Sequence, residues 1–274
     1  MSNTHYNTNV TPHYNRCVHD SPTPLLHTLD AQLANCVDFF QGFGAQHSPG
    51  DPTPWFRSGL PLSLLNGVRR NSLPDIASIY PGISDGLHDV PWSWWVGPDS
   101  ASTTTQQLET LGFEPDGLIP HMAMETSVDI DLRNPLLRIE RIADEGLRDF
   151  VTMWAPASGV PAELIEPITE IESHRDGFGT SYVCLGAFLG DELVGSAVVL
   201  LAHGVAGIYV VSTRSDHRRQ GIGHDITAAA VQLAHELDAP IACLQASPMG
   251  APLYEAMGFR TLASYQRFTF PARA

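Results

Sequence analysis

Arg218-Arg219-Gln220-Gly221-Ile222-Gly223 stands between a β-branched apolar run, Ile208 to Val211, and a segment with apolar residues at helical spacing: Ile222, Ile226, Ala229, Leu233 and Leu237. That order predicts a strand, a tight turn and a helix. The first turn of a helix has N–H donors without partners in the helix and about half a positive charge, so it attracts an anion. Glycines at 221 and 223 let phosphate oxygens approach the backbone closely, and the arginines add forked donors. The turn is therefore predicted to hold a diphosphate.

Other features narrow the field around this loop. The chain has 274 residues, room for two ordinary domains, and 43% of them are apolar, which supports sizeable cores. A formal charge of −15 argues against nucleic acid or an anionic membrane as partner, and is compatible with an amine-bearing one. All 15 basic residues are arginine, so no side-chain amine could itself be acylated. Cys17, Cys36, Cys184 and Cys243 are widely spaced and the twelve histidines are scattered, so neither a metal site nor a disulfide framework is expected. A reducing cytoplasm is the expected compartment. The uncharged run Leu193–Val211 is interrupted by His203-Gly204 and dominated by valine, so it reads as two strands rather than a membrane span.

Residues 1–24 read as a loose polar arm. Leu25 to Phe40 has helical spacing, and residues 51–99 are rich in Pro, Gly and Asn with short strands. Pro91–Val96 and Ile119–Met124 are predicted strands flanking a helix over Thr103–Leu111. Trp92 and Trp94 share one face of the first strand and Trp95 takes the other, a pattern that suits sheet packing although the rings could line a pocket. A strand over Leu137–Ile142 is followed by a helix that Asp144 is expected to cap, then by a helix with Pro161 in its first turn and Pro167 as a potential break. Gly190-Asp191-Glu192 joins a predicted hairpin, Ser181–Leu189 and Leu193–Leu201. Strands over Gly204–Thr213 and Ile241–Gln245, a short helix over Met249–Met257 and a last strand or pair over Leu262–Phe270 complete the chain.

Two stretches repeat one another. Asp89-Val-Pro-Trp leads a strand, a turn, a helix and Leu111-Gly112-Phe113; Asp238-Ala-Pro-Ile leads the same succession to Met257-Gly258-Phe259. The expected division is an arm (1–24), a first module (25–134) without a comparable glycine loop, and a second module (135–274). Gly67-Val68-Arg69-Arg70 is the nearest thing to that loop in the first module, and it does not match.

From Leu136 onward the chain resembles the GNAT superfamily of acyl-CoA-dependent N-acyltransferases. The resemblance rests on Tyr209-Val-Val-Ser-Thr213 as strand, Arg218-x-x-Gly221-x-Gly223 as loop, the helix after it, and Leu253-Tyr254-x-x-x-Gly258-Phe259. The first module looks like a degenerate copy. The resemblance implies an α/β (α+β) fold: a mixed, mostly antiparallel sheet of six or seven strands with four helices. Strands ending near Thr213 and starting near Ile241 would splay to admit the pantetheine arm of acetyl-CoA or another acyl-CoA. Val211, Ser212 and Thr213 would line that arm, and Arg218, Arg219, Gln220, Gly221, Ile222, Gly223 and His224 would hold the diphosphate. No metal is implied.

The expected reaction moves an acyl group, acetyl first, from the thioester directly to the amine of a small molecule. It needs a neutral nucleophile, an oxyanion donor and a proton for the departing thiolate. Tyr254 matches the family tyrosine that supplies the proton; its counterpart in the first module is Leu108, which cannot. For the base, Glu170, Glu172, His174, His203 and Tyr209 are candidates without a decisive signal, and a water chain serves equally well. Two alternatives stay open: an acyltransferase of specialised metabolism that takes its acyl group from a carrier protein, met by Arg214, Arg218 and Arg219, and a silent scaffold that binds without turnover. Monomer and homodimer are both compatible. A Rossmann site is not expected, because Ile226 stands where its third glycine belongs.

Overall fold

In the computed structural model, residues 25–44 and 53–270 are described; the predicted arm over 1–24 lies outside them. Among the described residues, ten strands form one sheet. In chain order they are β1 (Trp55–Arg57), β2 (Asn66–Val68), β3 (Ser93–Val96), β4 (Glu114–Glu125), β5 (Leu137–Arg141), β6 (Tyr182–Leu189), β7 (Glu192–Ala202), β8 (Val205–Thr213), β9 (Ile241–Gln245) and β10 (Arg260–Thr269). The helices are α1 (Leu29–Gln41), α2 (Tyr80–Gly86), α3 (Thr104–Thr110), α4 (Leu147–Trp154), α5 (Ile165–Ser173), α6 (Ile222–Glu236) and α7 (Ala251–Ala256). Across the sheet the order is β1-β2-β3-β10-β4-β9-β8-β7-β6-β5. Among the described strands, only β2–β3 and β8–β9 pair in parallel. The sheet is thus mixed and mostly antiparallel, as expected.

The middle of the sheet is interleaved. β4 pairs with β9 on one side and β10 on the other, while β10 pairs with β3. The repeated sequence units carry the same local geometry. Gly112 and Gly258 both have positive φ, 92° and 99°, a conformation that glycine adopts without a Cβ penalty. Each ends a helix and turns the chain into one of the two long central strands, β4 and β10.

Apolar periodicity places the layers. α6 lies across β7 and β8 on one face. Its buried side includes Ile222, Ile226, Ala230, Leu233 and Ala234; Ala229 is only half-buried, and Leu237 is exposed just past the helix end. α1 and α4 cover the other face, where Phe39, Phe40, Phe150 and Trp154 join the core. Phe39 stacks on Tyr209 of β8 with ring centroids 3.8 Å apart.

Several local expectations need correction. Asp144 makes no cap; it opens a 3-10 turn, Asp144–Gly146, and α4 begins after it. Pro161 precedes a second 3-10 turn, Ala162–Leu164, rather than lying in the first turn of α5. Pro167 neither breaks nor kinks that helix: it is the third residue of α5, where no intrahelical N–H bond is lost. The last strand is single and starts at Arg260. Leu193–Val211 is divided between β7 and β8, and among the described residues no helix is long and apolar enough to cross a membrane.

Candidate active site

The parallel pairing of β8 with β9 covers only Ala206↔Ala242 and Gly207↔Cys243. Beyond Gly207 the strands part, and the opening widens toward Thr213 on one side and Gln245 on the other. β8 also bulges there. Its register against β7 shifts between Ser196↔Ser212 and Val198↔Tyr209, so Val210 and Val211 together oppose one residue. Val210 sits at φ 52°, unfavourable for a β-branched residue, and the Ser196 hydroxyl donates to its carbonyl at 2.8 Å. Strain of this kind persists where surrounding contacts hold it.

The glycine turn lies at the same end. After Thr213 comes a 3-10 turn, Ser215–His217, and then Arg219 at φ 62° and Gly221 at φ 82°. Gly221 precedes α6 and provides no side-chain cap, so the donors of the first turn are left for an outside acceptor. A Cβ on Gly223 would lie 3.5 Å from Thr213 Oγ1 and 3.5 Å from Leu253, so Gly223 faces β8 and α7 across a narrow gap. Arg218, Arg219 and Gln220 are exposed.

The loop is braced from behind. The Asp225 carboxylate accepts the N–H of Arg133 at 2.9 Å and of Asn134 at 2.7 Å, and Asn134 Nδ2 donates to the Gln220 carbonyl at 3.3 Å. His224 is buried with its imidazole turned onto Asp225, 2.9 Å away, which leaves its main chain as the part that faces the loop. Arg214 is committed elsewhere, to Glu192 and to Asp216 at 2.7 Å. The hydrogen bonds it donates to both carboxylates raise its pKa further.

Between the parted strands lies a cavity of about 600 Å³. Val211, Ser212 and Tyr254 line one part of it, and Phe40, Leu64 and Trp95 another. Tyr254, on α7, is 7% exposed, and burial pushes its phenol up to about 12, so it stays protonated at neutral pH. Its ring packs edge-on against Phe259. β8 and α7 both line the cavity, with Gly223 of the loop beside them; of the three tryptophans at 92–95 it is Trp95 that reaches the cavity, while Trp92 and Trp94 pack on the opposite face with Phe113.

The base candidates fare differently. Glu172 is buried and accepts from the Tyr182 hydroxyl and from Arg175 Nη2 at 3.2 Å, a closed pair away from the opening. Glu170 and His174 are exposed at the end of α5, and His203 pairs with Asp38 at 2.8 Å. Tyr209 lines the cavity, but its hydroxyl donates to Asn35 Oδ1 at 2.7 Å. None of these is poised as a base.

Two features escaped sequence reasoning. The first is a polar relay behind the cavity wall. Gln245 Nε2 donates to His121 Nδ1 at 3.0 Å, and His121 Nε2 donates to Gln32 Oε1 at 2.8 Å. Gln32 Nε2 in turn donates to the Leu25 carbonyl at 2.9 Å and to Thr28 Oγ1 at 2.8 Å. His121 is fully buried, which pushes its pKa down to about 4. The second is Arg69, 1% exposed, with its guanidinium carbon 4.3 Å from the Phe40 ring centroid and 4.6 Å from those of Phe56 and Trp95. Among the described residues it has no carboxylate partner and its Nε has no hydrogen-bond partner, and burial lowers its pKa to about 9. No local spacing signals either group, because both are assembled from segments far apart in sequence.

A sheet opened at a strand bulge, a helix start with unpartnered N–H donors nearby and a protonated tyrosine in the cavity wall make a site suited to acyl-group transfer. The comparisons agree. Residues 157–269 match the acetyltransferase (GNAT) domain family, so the chain carries a GNAT acyltransferase domain and is an acyltransferase enzyme. A GCN5-related N-acetyltransferase from Kribbella flavida has a similar structure at TM-score 0.65 and 19% identity, over 88% of this chain and 96% of that one. A conserved protein of unknown function from Staphylococcus epidermidis follows at TM-score 0.62 and 13% identity, over 83% and 94%. A GCN5-related N-acetyltransferase from Sphaerobacter thermophilus gives TM-score 0.57 and 15% identity, over 80% and 76%. No curated protein matches the chain.

Proposed function

We infer that this protein is an N-acyltransferase that moves an acetyl group from acetyl-CoA to the amine of a small molecule, both substrates being bound together. The observation that carries this reading is that the β8 bulge and the buried Tyr254 phenol line one cavity, while Gly223 of the Arg218–His224 turn stands beside Thr213 of β8 and Leu253 of α7. The diphosphate lies against the first-turn N–H groups of α6 with Arg218 and Arg219 beside it, and the pantetheine arm follows Val211, Ser212 and Thr213. The amine lone pair attacks the thioester carbon; the C–N bond forms as the C–S bond breaks. Tyr254 gives its proton to the leaving sulfur and regains one from water, which also takes the proton shed by the nitrogen. Arg214, spent on Glu192 and Asp216, leaves fewer exposed cations for an acidic carrier protein, which favours free CoA as donor carrier.

The first half is read as a degenerate GNAT-like module without a donor site of its own. β2 and β3 pair in parallel through Gly67↔Ser93, as β8 and β9 do through Gly207↔Cys243. The N–H of Phe113 bonds the Leu108 carbonyl at 3.0 Å, and that of Phe259 bonds the Tyr254 carbonyl at 3.0 Å, which supports Leu108 as the counterpart of Tyr254. Two positions past Gly67, where the second half has Tyr209, stands Arg69, wrapped in aromatic rings at the place a pantetheine would need. Three buried free thiols, Cys36, Cys184 and Cys243, suit a reducing cytoplasm. Calorimetry with acetyl-CoA tests the reading: saturable binding of one donor per chain is expected, abolished by Gly221→Asp and weakened by Arg219→Glu. No binding of any free acyl-CoA, or two equivalent sites, refutes it.

A further inference from the structure

We propose that the acceptor is a monoamine with a flat apolar body, and that Gln245 is the residue that holds its nitrogen. The inference rests on the acyltransferase reading and names the substrate class of the same cavity. Beyond the parted strands, the cavity is a chamber walled by Phe40, Phe43, Trp95 and Trp154, with Leu64 and Leu118 at its lip. Leu118 is 63% exposed and Leu64 38%, an apolar edge that a charged solute gains nothing from crossing.

Charge sharpens the choice. Asp116 is the one carboxylate among the described residues lining the chamber, and Arg267 holds it at 2.8 Å, with a second bond from Arg267 Nε to the Asp116 carbonyl at 3.1 Å. No free carboxylate is left to pair with a second ammonium group. Behind the wall, the Arg69 cation lies against the rings of Phe40 and Trp95, its guanidinium donating to the Leu64 and Ser93 carbonyls and with no carboxylate partner among the described residues. A polyamine or aminoglycoside would bring further positive charge toward that cation in a medium of low dielectric. The same field, together with desolvation, favours the uncharged form of a single amine. That is the form the reaction consumes, and it accounts for a site with no poised general base.

The nitrogen's partner follows from the relay. Gln32 Nε2 is occupied by two acceptors, so Gln32 presents Oε1 to His121; His121 therefore carries its proton on Nε2 and accepts at Nδ1. Gln245 must then turn its Nε2 inward. Its Oε1 is left on the cavity side without a partner among the described residues, an acceptor for one N–H of the incoming amine. A bound N–H on one side orients the lone pair toward the thioester between β8 and β9.

The test uses the full chain with 2-phenylethylamine, tryptamine, spermidine and kanamycin as acceptors, thiol release as readout, and acetyl-CoA affinity measured separately. The two aromatic amines are expected to exceed spermidine and kanamycin by at least tenfold in kcat/KM. Trp95→Ala and Gln245→Leu are expected to lower kcat/KM for the aromatic amines by about tenfold, in line with loss of one good contact, with donor affinity unchanged. Gln245→Glu is expected to narrow the gap toward spermidine, a change in selectivity that a purely structural role of Gln245 would not produce. Intact donor binding with equal or better use of the polycations overturns the assignment alone. So does a chamber that serves the acyl chain instead, seen as faster turnover with octanoyl-CoA, lost in Trp95→Ala, and no discrimination among amines. Absence of donor binding overturns the acyltransferase reading and the pocket assignment together.

Discussion

His121 ties the stability of this protein to pH in a calculable way. Burial holds its folded-state pKa at about 4, against 6.5 for an ordinary imidazole. The folded pKa is depressed, so the folded state resists protonation. Above pH ~6.5 neither state carries the proton and nothing is lost; as pH falls from there toward ~4, the unfolded chain takes up a proton that the folded chain refuses, and stability drops. The whole span is worth roughly 3 kcal/mol, of which about 2 kcal/mol falls between pH ~7 and ~5. Urea unfolding of the wild type and of His121→Gln at those two pH values isolates the effect, since other titrating groups are common to both. The wild type is expected to lose about 2 kcal/mol more than the variant over that interval. Should His121→Gln fold poorly, the imidazole resonances of His121 in the labelled wild type give the same answer: no protonation shift down to pH ~5. Equal losses in the two proteins, or an imidazole that titrates near 6.5, would show that His121 is not the neutral, doubly engaged group that fixes Gln245.

Two further outcomes follow from the site. Tyr254→Phe removes a buried phenolic proton while keeping the ring against Phe259, so turnover should fall by about 10² or more, with acetyl-CoA affinity nearly unchanged in calorimetry; unchanged turnover removes Tyr254 from the mechanism. Gly223→Ala meets only ordinary contacts at 3.5 Å and should keep its unfolding midpoint while weakening donor binding, whereas Gly221→Ala, at φ 82°, should cost about 1 kcal/mol in chemical denaturation whether or not the donor is present.

Local chemistry made the second half legible. The hairpin over 182–202, β9 and α6 were readable because valine alternation, turn glycines and a 3.6-residue period each act within a few residues. The Arg218–His224 turn was readable because Gly221, at φ 82°, marks a position that other residues take only with strain, two residues before a second glycine at the start of α6. What stayed hidden depended on contacts made across the chain. Nothing near Ile119–Met124 signals that this strand inserts between β9 and β10, since pairing partners are set by the whole sheet. Arg69 next to Arg70 looks like a solvated pair, yet Arg70 bonds Asp99 at 2.5 Å while Arg69 is sealed among aromatic rings. The caps failed for a simpler reason: Asp144 has the right side chain, but the chain enters α4 through a 3-10 turn that moves the helix start.

The interleaved centre of the sheet explains why the two ends of the cavity belong to different halves of the chain. β4 delivers His121 against Gln245 of β9, and the start of the same strand, Asp116 to Ile119, forms the chamber's lip. β10 crosses to β3 and sets Tyr265 against Trp95 at 5.4 Å, and Arg267 against Asp116. Taking the first half away would therefore strip β9 and β10 of the strand between them and open a hydrogen-bonding edge on each. It would also remove α1, whose Gln32 sets the tautomer of His121 and whose Asn35 anchors the Tyr209 hydroxyl. The first half thus supplies residues of the wall, the lip and the relay around the cavity that the second half opens.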